Sequence, residues 1–81
     1  MDIFEQLVLM ERTNQDAKWG EQNHSPEIWL CVLIEEVGEL ANAIQEYRFG
    51  AGEKENMGDE LVQIAAVARV FFESGRRNGW L

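Results

Sequence analysis

Glu36 stands where a helical chain has least reason to put a charge. At about 100° per residue, Trp29, Val32, Leu40, Ala43 and Tyr47 all fall within roughly 40° of it. Glu36 is therefore at the centre of an apolar face. Glu39 lies at the edge of that face one turn on, and Glu35 points about 100° away. A second segment repeats the pattern. Glu60 shares a face with Ile64, Val67 and Phe71, Gln63 lies beside it one turn along, and Asp59 shares an edge with Gln63. A buried ionised carboxylate must neutralise, pair with a cation or bind a metal. Arg48, Lys54 and Arg69 stand at segment ends or on the far side, so basic partners are few. A hard divalent cation meets the need, because Mg²⁺ is held by a few carboxylates together with substrate phosphates.

The breaks in the chain divide it into three helices. Asp2 can cap a first helix over about 3–17, with Glu5 placed as in a capping box. "HSPEIW" starts a second, with Ser25 as cap, Pro26 at the first helical position and Glu27 at the positive end of the dipole. It runs over 26–49, and Gly50 is expected to end it in a left-handed conformation. "FGAGEKEN" is a turn, and a third helix covers 53–73, where "SGRRNG" is expected to stop it and Arg76 and Arg77 suit its negative end. "VARVFF" has β propensity but continues the helical pattern. The expected fold is all-α: a single domain over 1–81, a three-helix protomer with two long antiparallel helices. Apolar residues spread around the third helix, among them Val62, Val67, Val70 and Phe71, exceed what one partner helix can cover. A homodimer with a four-helix-bundle core, or a tetramer, is therefore expected.

Composition excludes several classes. The formal net charge of -8 argues against nucleic acid and against an anionic membrane surface, both of which need basic patches. Cys31 is the only cysteine, so there is neither a disulfide framework nor a thiolate zinc cluster. No run is long and apolar enough to span a membrane, and the N-terminus does not read as a signal peptide, so a cytoplasmic location is expected. A di-iron bundle would need Glu-x-x-His pairs, and the one histidine, His24, lies outside the helices.

"EEVGE" at 35–39 followed by "DELVQ" at 59–63 resembles the MazG-like all-α nucleoside triphosphate pyrophosphohydrolases, whose signature is Glu-Glu-x-x-Glu and then Glu-x-x-Asp on the next helix. The resemblance spans about Asn14 to Glu73, and "NQDAKWGEQNH", "WLCVLIEEVGELANAI" and "ELVQIAAVA" resemble a short branch of that family. It implies hydrolysis of a nucleoside or deoxynucleoside triphosphate between the α and β phosphates, with Mg²⁺ (or Mn²⁺) as cofactor and a role in clearing unwanted nucleotides. Carried over, Glu36, Glu39 and Glu60 are metal ligands, and Glu35 is a further ligand or orients the attacking water. A metal there neutralises phosphate charge, and a nearby carboxylate can take the proton of the water. The departure is Gln63, which stands where the family pattern has Asp. The site then works with one carboxylate fewer, or Asp59 supplies the charge, or the chain is a nucleotide-binding or helical interaction module with weak or no turnover. The regular look of "ELVQ" within the short branch favours the first. Members of the family usually carry a further C-terminal helix, which the ending "NGWL" leads one to expect absent or vestigial here.

Five more residues have two readings each. Trp29 and Tyr47 flank the acids and could stack on a base, although aromatics at helical spacing are usually core. In "KWGEQNH", Lys18 could meet a phosphate and Trp19 or His24 a base or sugar, against the plainer reading of a packed turn.

Overall fold

A computed structural model describes residues 1–81 as three helices and no strands: α1 (Ile3–Trp19), α2 (Pro26–Phe49) and α3 (Lys54–Asn78). The caps form as their chemistry dictates. Asp2 Oδ1 accepts from the Glu5 N–H at 2.8 Å, and Ser25 Oγ accepts from the Ile28 N–H at 3.3 Å, each satisfying a backbone donor with no helical partner. Pro26 occupies the start of α2, where its missing N–H costs nothing.

α3 is the spine. It packs on α2 along one side and on α1 along another, while α1 and α2 do not pack on each other. Its Ala66, Val67, Val70, Ser74 and Gly75 are buried, joined by Val8 of α1 and by Trp29 and Ala43 of α2. Trp29 is the largest fully buried side chain. It stacks on Phe71 with ring centroids 6.1 Å apart, and meets the His24 ring edge-on at 4.8 Å. Trp80 extends the row, edge-on to Phe71 at 5.8 Å. One aromatic ladder thus ties the α1–α2 connection, α2, α3 and the C-terminal tail. On the other side Arg12 joins α1 to α3: its Nε and Nη2 both donate to Glu73 Oε1, at 3.3 and 2.9 Å, and Nη2 also lies 3.0 Å from Asp16.

Two helix ends differ from expectation. α3 continues through "SG" to Asn78 instead of stopping at Glu73. Gly75 is a weak helix former, but the tail folds over it: the N–H groups of Trp80 and Leu81 both donate to its carbonyl, and a Cβ there would lie 2.6–2.7 Å from their side chains. Tertiary packing overrides propensity, and the stop passes to Gly79, which takes the left-handed conformation at φ 81°. At the end of α2, Gly50 is not left-handed, with φ -138°. The turn is set by Gly52 instead, whose N–H bonds back to the Glu46 carbonyl at 3.2 Å while its Cα lies against the Glu46 and Tyr47 backbone.

Only eight of the 81 residues are buried, and large apolar side chains remain at the surface. Leu30, Ile34, Val37 and Ile44 form an exposed stripe at helical spacing on α2, and Leu61 and Phe72 lie exposed on α3.

The turn fixes the register of α2 against α3, so its tolerance can be measured. A Cβ at Gly52 would sit 2.8 Å from Glu46 Cβ and about 3 Å from backbone atoms that cannot give. Gly52→Ala should therefore lower stability by about 1–3 kcal/mol in chemical denaturation. Gly58→Ala, with nothing within 4 Å of its Cβ inside α3, should be neutral or stabilising by up to about 1 kcal/mol. Equal effects at both sites would contradict the close approach.

Candidate metal centre

α2 and α3 run antiparallel from the turn, and this brings Glu36 and Glu39 opposite Glu60. One carboxylate oxygen from each lies within 4.8 Å of the other two. Glu36 and Glu60 are half-buried and Glu39 is exposed. Glu36 Oε2 and Glu60 Oε2 are buried and have no hydrogen-bond partner. No cation compensates them: the ion pairs of the chain involve Arg12, Arg69 and Arg77, none with these acids.

The electrostatics follow. Burial pushes the Glu36 carboxyl up to about 7, helped by the charges of Glu39 and Glu60, a hydrogen bond with Glu39 and the charge of Glu35. Glu60 is raised for the same leading reason, then by Glu39 and Asp59. Like charges crowded in a poorly solvated place hold protons when no cation is near. The donor set fits a hard divalent ion: three carboxylates from two facing helices, two of them with an unsatisfied buried oxygen.

Glu36 also lines a cleft of about 560 Å³. α3 forms its floor through Gln63, Val67 and Val70. α2 supplies Trp29, Val32 and Glu36 on one side, and α1 supplies Glu11, Asn14, Gln15, Lys18 and Trp19 on the other. Gln22 and His24 of the connection close one end. Lys18, Trp19, His24, Trp29 and Gln63 are thus brought together with Glu36. Trp19 is exposed, with Lys18 Nζ 4.8 Å from its ring centroid. Gln63 Oε1 accepts from Gln15 Nε2 at 3.5 Å.

Not every expected site residue is placed to act as expected. Trp29 is fully buried, with its ring against Phe71 and His24, so no face is free for a base. Tyr47, near the end of α2, is exposed and outside the cleft. Glu35 is exposed beside the cluster, and Asp59 is exposed near Glu60. Sequence reasoning named Lys18 and Trp19 of the α1 wall but missed Glu11, Asn14 and Gln15. Glu11, Asn14, Gln15 and Lys18 recur at helical spacing, but a polar stripe of that kind reads as a solvated face until a second helix is placed opposite it.

The family model for the MazG nucleotide pyrophosphohydrolase domain matches residues 24–77. The match takes in α2, the turn and α3 up to its penultimate residue, and so includes all three clustered glutamates; α1 lies outside it. No curated protein and no solved structure matches the chain.

The raised Glu36 carboxyl has a consequence for stability. Below its ordinary value of 4.5 the group is protonated in both states. Between 4.5 and about 7 the folded chain holds a proton that the unfolded chain has lost, so stability falls as pH rises through this window. The metal-free protein should melt at lower temperature at about pH 7.5 than at about pH 5. Glu36→Gln should flatten that dependence; superimposable pH profiles for the two proteins would refute the assignment.

Proposed function

From its place in the MazG nucleotide pyrophosphohydrolase family, to which the chain belongs, we propose that it is a metal-dependent hydrolase of nucleoside or deoxynucleoside triphosphates. It cleaves the α–β phosphoanhydride bond with water and releases the monophosphate and pyrophosphate, in a cytoplasmic role of removing unwanted nucleotides. The observation that carries the reading is the pair of buried, unpartnered carboxylate oxygens on facing helices, next to a cleft large enough for a nucleotide.

Glu36, Glu39 and Glu60 would hold Mg²⁺, or Mn²⁺ in its place, and the amide oxygen of Gln63 is a neutral donor nearby. The ion supplies charge neutralisation at the phosphates and polarises the bond to be broken. Glu35, beside the cluster and solvated, takes the proton of the attacking water. Lys18 at the cleft wall meets the phosphate chain as a point charge. Trp19, exposed at the same wall, offers a ring face to the base, and His24 an edge. Tyr47 takes no part in this arrangement.

The protomer is proposed to act as a homodimer, or a tetramer, with a four-helix core. The uncovered stripe of Leu30, Ile34, Val37 and Ile44 and the exposed Leu61 and Phe72 support this, because a chain of this size with so few buried residues is marginal alone. No helix is long and apolar enough to cross a membrane. Gln63 favours a second reading, in which the fold binds nucleotide and turns it over weakly.

Pyrophosphate release from a panel of ribo- and deoxynucleoside triphosphates, with and without Mg²⁺, tests the first reading. We expect Mg²⁺-dependent release from at least one, abolished by Glu36→Gln with the helical content unchanged. Silence from every triphosphate at high enzyme concentration, alongside measurable binding, would favour the second. In sedimentation, the protein should be larger than a 9.3 kDa monomer, and Ile34→Glu should shift it toward the monomer. A monomeric parent chain would end the assembly proposal.

A further inference from the structure

The connection between α1 and α2 carries Gln22 and His24 into the cleft, yet it contains Gly20 at φ 71° and no secondary structure of its own. It is fastened from the far end of α3. Arg77 Nε and Nη2 both donate to Asn23 Oδ1, at 3.0 and 2.9 Å, and Nη2 donates to the Gln22 carbonyl at 2.9 Å. Nε also lies 3.3 Å from Glu21. Asn78 Nδ2 adds a third donor to Asn23 Oδ1 at 2.8 Å, and is itself held by the Ser74 carbonyl at 2.9 Å. The side-chain amide of Asn23 is thus caught among three donors from one helix end.

We propose that Arg77 is a positioning residue for substrate binding: its guanidinium clamps Gln22 and Asn23, and so holds the loop that closes the nucleotide end of the cleft. This rests on the nucleotide reading of the cleft given above. Arg77 does not line that cleft and does not reach the acids. Its effect is on the fraction of molecules with the loop in place. The fork geometry matters, since two N–H groups on one guanidinium serve a side-chain oxygen and a backbone oxygen together. A lysine offers a single ammonium and keeps only the charge opposite Glu21. Arg76 and Arg77 both lie in the last turn of α3, as expected from sequence, and the head group of Arg77 also bonds the loop.

Apparent affinity scales with the fraction of the binding-competent form. If loss of the clamp leaves the loop in place about a tenth of the time, Arg77→Ala raises KM about tenfold with kcat within about twofold. Arg77→Lys does not rescue it, and Asn23→Ala reproduces it. Binding of non-hydrolysable α,β-methylene triphosphates with Mg²⁺, followed by tryptophan fluorescence, should weaken by the same factor. Hydrogen exchange should show faster exchange at Gln22 to His24 alone. The clamp is overturned by an unchanged KM, by full rescue with lysine, or by kcat and melting temperature falling together with affinity. A parent chain that binds the analogues but releases no pyrophosphate removes the hydrolase reading, and the binding comparison then decides the clamp by itself. A parent chain that binds no analogue overturns both.

Discussion

The fold is organised around an unfavourable contact. α2 and α3 press Glu36, Glu39 and Glu60 together at a half-buried seam without a lysine or arginine to answer them. A helical hairpin meant only to be stable would put leucine at these positions. Everything near the seam reads as accommodation of that cost. Small residues such as Ala43 and Ala66 are buried on the facing helices, and the large aromatic packing is at Trp29 and Phe71.

Burial of charge also suits the cluster to holding a cation. Two of the three carboxylates have an oxygen out of water with no donor. A metal-free protein answers by taking up protons, and the same oxygens are free to accept a cation once one is present. Protons and metal then compete for one set of atoms, which ties the protonation of the seam to its occupancy.

Much of this was legible in the sequence because helical periodicity is a one-dimensional signal. The angular position of Glu36 among Trp29, Leu40 and Ala43, the cap at Ser25 and the break after Phe49 all come from residue order alone, and the three-helix fold follows. What was not legible depended on which helix lies against which. Glu11, Asn14 and Gln15 of α1 are indistinguishable from a solvated face until α3 holds them opposite α2. Gly75 looks like a stop until Trp80 and Leu81 are seen to fill the space its missing side chain leaves. Trp29 was on the right face, but periodicity could not say that both sides of its ring were already occupied.

α1 and α2 meet only through α3. The acids belong to the hairpin of α2 and α3, whereas one whole wall of the cleft belongs to a helix resting on the outside of that hairpin. Replacing the surface that α1 presents alters the cavity's outline and leaves the carboxylate seam untouched. The architecture is modular in that sense: one helical pair carries the carboxylates, and a third helix carries the opposite wall of the cleft.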